Sequence, residues 1–230
     1  MNQTTHIQAR ARSNSVLRTV YIYMTAGLAI TGVVAFLAAN TGIAQIFARN
    51  TMLFILLLVG QLALVLFLSA RIRKLSPQAA LGAFFLYASL NGILFSYIFL
   101  IYTGVSIALT FFITAGTFAG MSIYALTTKE DLTKYGRFLI MGLWGIILAS
   151  LANWLFKSPA LYWIITYAGV LVFVGLTAYD TQVIARWSNE LPDNADTRTI
   201  ARLAIIGALR LYLDFINLFL MLLRIFGGRR

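Results

Sequence analysis

Cysteine is absent from this 230-residue chain, histidine occurs once, proline three times and acidic side chains seven times. The missing cysteines exclude disulfides and thiolate metal sites. His6, the one histidine, cannot furnish a zinc centre without partners. The lysines, Lys74, Lys129, Lys134 and Lys157, all fall at connections or at the ends of apolar runs. That excludes a retinal Schiff base inside a helical bundle, which needs a lysine within a span. Charge of either sign is scarce: 11% of residues, where a soluble domain carries about 25%.

What the chain has instead is apolar length. Sixty per cent of it is hydrophobic, with a mean hydropathy of +0.85, and the apolar residues come in runs rather than at amphipathic spacing. A net charge of +11 by itself would suit nucleic acid. Here the basic residues cluster at the ends of the runs, as they do where a membrane protein marks its cytoplasmic side. The expectation is an all-α membrane protein in contact with lipid and not with nucleic acid.

Seven runs are long enough to span, at about 18 residues or more. They lie near 20–39, 51–70, 79–102, 105–127, 138–157, 161–184 and 203–226. The short connections predict one seven-helix domain over 20–230, preceded by a polar, basic tail over 1–19. "AFLAAN" at 35–40 has a faint look of a cleavage site, but the run before it is too long for a signal peptide. Twelve Lys and Arg fall in the tail and the second, fourth and sixth connections; Arg49 and Lys157 alone fall in the others. The positive-inside rule then puts the N-terminus in the cytoplasm. Seven spans would leave the basic C-terminal "RIFGGRR" outside, a conflict that allows the last run either to span or to re-enter. Gly116 and Gly120, and Gly142, Gly145, Ala149 and Ala152, have spacings that let helix backbones pack in lipid.

Two acidic residues lie inside runs: Asp180 in "GLTAYDTQ" and Asp214 in "LRLYLDFINLFLMLLRIF". An ionised Asp at a helix centre costs about 2.5–3.5 kcal/mol on insertion scales, so such residues are functional by default. Consecutive helices carry them, so they can face each other. Their depths agree poorly if the runs end at Ile184 and begin at Leu203: about 6 Å for Asp180 and about 16 Å for Asp214, at 1.5 Å per residue. Continuation of the sixth helix to Trp187 would reduce the mismatch. Carboxylates about 4 Å apart repel by roughly 4 kcal/mol at an effective dielectric near 20, and a pair so placed shares one proton near neutrality. Protonated, it latches two helices together. Deprotonated, it offers oxygen ligands to a hard cation such as calcium. Arg210 and Asn217 share a face with Asp214 at i−4 and i+3 and are candidates to support it. Arg210 and Asp214 can also form an ordinary pair within one helix.

These residues carry a resemblance. "VGLTAYDTQ" at 174–182 and "LRLYLDFINLFLMLLRIFG" at 209–227, with "LTTKEDLTKYG" at 126–136, resemble the Bax inhibitor family, in particular its bacterial inner-membrane branch. The resemblance implies seven spans with the last one central, and a proton-sharing aspartate pair, Asp180 and Asp214, governing a calcium leak. It implies that a basic residue at the end of the second helix steadies the closed form: Arg71 in "SARIRKLSP", with Arg73 as the alternative. It implies calcium as the transported ion, with no cofactor. It also carries a second reading, an interaction protein that modulates a membrane-bound quality-control protease. An enzyme is not expected. Tyr179-Asp180 matches half of an intramembrane aspartyl peptidase signature, but Asp214 follows Leu211-Tyr212-Leu213 where that class has glycines.

Overall fold

Inside a bilayer every backbone amide must find its partner within the protein, so apolar runs of this length fold as helices. The computed structural model describes residues 3–72, 74–192 and 194–229, without the side chains of 3–13 and of residue 48. The helices are α1 (Gln3–Asn40), α2 (Ile43–Arg49), α3 (Thr51–Arg71), α4 (Pro77–Ser96), α5 (Ile98–Ile101), α6 (Gly104–Thr127), α7 (Gly136–Phe156), α8 (Pro159–Asn189) and α9 (Thr197–Phe226). A 3₁₀ turn, Leu132–Tyr135, precedes α7. Among the described residues there is no β-strand. Seven helical stretches are long and apolar enough to cross a membrane, and each coincides with one of the expected runs.

The ends differ from expectation where polar residues continue a helix beyond its apolar part. The leader from Gln3 is helical and runs directly into the first span. Short α2 follows the left-handed turn at Gly42, and α4 starts at Pro77 behind a Ser76 cap whose hydroxyl accepts from Ala79 N. Proline suits the first helical position because its missing N–H would be unpaired there anyway.

The chain divides into two compact units. The first comprises Met1–Thr103, Trp187–Tyr212 and Arg229–Arg230; the second comprises Gly104–Arg186 and Leu213–Gly228. In the first, α1 and α4 meet at two glycines. A Cβ on Gly92 would lie 2.7 Å from Val34 Cβ and 2.8 Å from the Thr31 carbonyl, and one on Gly27 would lie 2.7 Å from Phe84 Cζ. Close approach lets polar side chains bridge helices: Thr31 Oγ1 donates to Ala88 O at 3.0 Å and lies 2.8 Å from the Tyr212 hydroxyl. Tyr212 is fully buried, edge-on to Phe84 at 5.5 Å.

In the second unit Phe173, Leu176, Leu218, Met221 and Leu222 form one buried cluster. Here the expected GxxxG packing face is corrected. Gly116 and Gly120 have open space where a Cβ would stand; α6 instead buries Thr110, Thr114, Phe118, Ser122 and Ala125. The hydroxyls decide the rotation, because a polar side chain facing lipid costs more than a glycine there. Of the second glycine set, Gly142 does meet a neighbour, Val172, whereas Gly145 faces open space.

Candidate functional site: two buried aspartates on consecutive helices

The register of α8 against the C-terminal half of α9 is fixed by packing. Gly169 approaches Met221 so closely that a Cβ would sit 2.9 Å from the Met221 sulfur. Farther along α8, Phe173 and Leu176 share their cluster with Leu218. Numbers rise on one helix as they fall on the other, so the two run antiparallel here. Leu176 and Asp180 are one turn apart on the same face of α8, and Leu218 and Asp214 are one turn apart on the same face of α9. One turn beyond the shared cluster, in the same direction, each helix presents its aspartate.

Both are buried, Asp180 at 8% and Asp214 at 5% exposure, and both are engaged by neighbours. Depth counted inward from helix ends compares them badly. α8 runs past Trp187 to Asn189, whereas α9 starts at Thr197 rather than Leu203, so the cross-helix register is the better ruler. Among the described residues no three His, Cys, Asp or Glu side chains cluster as a metal site would require.

The surroundings hold both helices in rotation. Phe215, next to Asp214, lies between Phe111 and Phe118 of α6, each 5.5 Å away. Thr181, next to Asp180, faces Ser122 of α6 at 3.4 Å between oxygens. On the other side of Asp180, Tyr179 lies against Gly136, where a Cβ would meet the ring at 2.5 Å.

A clamp that the sequence reading missed holds α8 beside Asp180. Gln182 Oε1 accepts from Leu132 N at 2.7 Å and Nε2 donates to Glu130 O at 2.8 Å. One turn on, Arg186 donates to Asp131 Oδ1 at 2.9 Å. Asp131 also accepts from the Thr133 hydroxyl and backbone N–H; these bonds, and Arg186 after them, hold its carboxyl below the ordinary value of 3.8. The signal was available, since a glutamine and an arginine four apart follow the aspartate on α8. What hid it was the partner, a loop backbone.

The other expected residues stand as follows. Arg71 is the last residue of α3 and exposed; its carbonyl accepts from Lys74 N and Leu75 N. Arg73 lies outside the described residues, as does the side chain of His6. The Arg210 guanidinium stacks over Trp187, 4.9 Å from the ring centroid, a contact available once α8 extends that far. Asn217 Nδ2 donates to Leu213 O on its own helix at 2.8 Å.

Seven apolar spans, with carboxylates buried inside two of them, define a polytopic α-helical membrane protein. Its sequence matches the family described as inhibitor of apoptosis-promoting Bax1 over residues 13–230, and the chain belongs to this Bax inhibitor family. It is 51% identical over 225 residues to "Inner membrane protein YbhL" of Escherichia coli, covering 97% of this chain and 96% of that protein. An uncharacterized protein of Borreliella burgdorferi is 48% identical over 218 residues, covering 94% and 93%. An uncharacterized membrane protein of Streptococcus pyogenes is 32% identical over 225 residues, covering 96% of each.

Proposed function

We propose that this protein is a passive, pH-regulated calcium leak gated by Asp180 and Asp214. In this reading it is not an enzyme and needs no cofactor. It sits in a bacterial inner membrane with its N-terminus in the cytoplasm and its last helix central in one seven-helix domain. The observation that carries the proposal is the placement of two buried aspartates one turn beyond a shared apolar cluster, on antiparallel helices. Burial penalises two charges there, and a shared proton relieves the penalty while tying α8 to α9. Loss of that proton creates repulsion that favours separation. It also exposes carboxylate oxygens to a cation, whose remaining ligands would be carbonyls, hydroxyls and water.

Arg71 steadies the closed form, and Arg210 and Asn217 support Asp214. Family membership and the similarity to a named inner membrane protein support the setting, and the Lys and Arg distribution supports the orientation. The test is reconstitution of the purified chain alone in dye-loaded liposomes. Calcium should enter without any partner, and Arg71→Ala should raise entry at a pH where the wild type is mostly closed. A chain that inserts but conducts nothing at any pH would contradict the leak and favour the reading as a modulator of a membrane protease.

A further inference from the structure

The first unit holds a cavity of about 620 Å³ whose polar lining is basic. Lys74, Ser76 and Gln78 come from the α3–α4 connection and the start of α4; Thr197, Arg198 and Arg202 come from the first turns of α9. Tyr23, Leu81 and Ile205 supply apolar wall. Among the described residues no acidic side chain lines it. Asp196, beside it in sequence, turns its Oδ1 to Thr199 N at 2.9 Å as the cap of α9.

Three features of this cavity suit an anion together. Lys74, Arg198 and Arg202 converge on it from two chain segments far apart in sequence. The N-terminus of α4 opens onto it and adds partial positive charge, whereas that of α9 is already met by the Asp196 carboxylate, which also feels the charges of Arg202 and Arg198. Arg202 is half-buried, and its Nε donates to Leu75 O at 2.9 Å. That bond fixes the guanidinium plane, and a fixed plane is what favours Arg in recognising phosphate. The volume exceeds that of a bare phosphate ion and lies within the range of small-ligand sites. Charge needed only to set topology would not have to gather around a cavity.

We propose that this cavity binds a phosphate group, either on the headgroup of an anionic phospholipid or on a small soluble phosphate. Lys74 and Arg198 supply mobile charge at the rim, Arg202 supplies an oriented fork, and the Ser76 and Thr197 hydroxyls supply hydrogen bonds. Basic pockets between membrane helices hold lipid headgroups by the same chemistry. The inference does not depend on the aspartate pair and stands or falls separately from the leak.

The test uses the full-length purified protein with two probes. Native mass spectrometry from mixed micelles compares retention of phosphatidylglycerol with that of phosphatidylcholine. Thermal melts are followed as inorganic phosphate replaces chloride at constant ionic strength. The variants are Arg198→Gln alone, an exposed change, and Lys74→Gln with Arg198→Gln; both leave the Arg202–Leu75 bond in place. Lys157→Gln is the control. Binding of at least one probe is expected, weakened about tenfold or more in the double variant and unchanged in the control. Retention of phosphatidylglycerol without a phosphate effect assigns the lipid; a phosphate-dependent melt without lipid retention assigns the soluble ligand. Absence of both at millimolar phosphate, or equal binding by the double variant, overturns the site.

Discussion

Tyr212 and Asp214 are two residues apart on α9, and the physics that buries them differs. Tyr212 brings a large ring and a hydroxyl with an available partner in Thr31, so its burial is favourable. Asp214 brings a charge whose burial is costly unless a function compensates. The aspartate was legible in the sequence because a carboxylate inside an apolar run is conspicuous. Tyr212 was not, because its partner lies 181 residues away and nothing local announces it. The glycines teach a similar lesson. Gly116 and Gly120 had the motif yet face open space, whereas Gly27 and Gly92, neither with a second glycine four residues away, are where α1 and α4 touch. Gly27→Ala would push a methyl into Phe84, which is itself fully buried. It should destabilise the protein by about 1–3 kcal/mol, as overpacking does, visible as a melt several degrees lower in detergent. A melt unchanged from wild type would show that Phe84 has room to move.

At the scale of elements, seven spans were readable because lipid demands long apolar helices and little else competes with that signal. Helix ends were less readable. The extension of α8 to Asn189 and the early start of α9 use polar residues that hydropathy assigns to connections. In sequence the loop at 126–136 carries only a resemblance, and the structure gives it a mechanical part: Gln182 and Arg186 hold it against α8 beside Asp180. Gln182→Ala removes the side chain that pairs Leu132 N and Glu130 O, and should speed hydrogen exchange of the 128–135 backbone while sparing the spans. Equal exchange in both proteins would mean that the Asp131 contacts hold the loop unaided.

The clamp also has a pH signature. Folding lowers the Asp131 carboxyl below 3.8, so its stabilisation is complete above the unfolded value and is lost as pH falls through the folded one. Loop exchange, corrected for the intrinsic pH dependence of amide exchange, should therefore be flat near neutrality and rise only below about pH 4. A rise centred near pH 7 would mean that the loop follows another titrating group.

For the whole molecule, two consequences follow from charge distribution and burial. Reporter fusions after Ser76 and after Thr128 should read cytoplasmic, and a fusion after Asn40 external; the reversed pattern would mean that Lys and Arg do not set the orientation. The last span is the most enclosed of the seven, with 72% of its apolar window buried against 33% or less elsewhere. It is also a span that carries a buried carboxylate. Composition alone could not rank the spans, since all seven are apolar; the rank comes from packing. The proposed gate requires Asp180 and Asp214 to titrate as one unit, and calcium entry into dye-loaded liposomes across pH, with matched insertion, measures this directly. Asp180→Asn and Asp214→Asn should each flatten the pH dependence near neutrality, and the double variant should add little, because coupled residues are not additive. A full wild-type pH response in both single variants would show that these carboxylates are not the sensor.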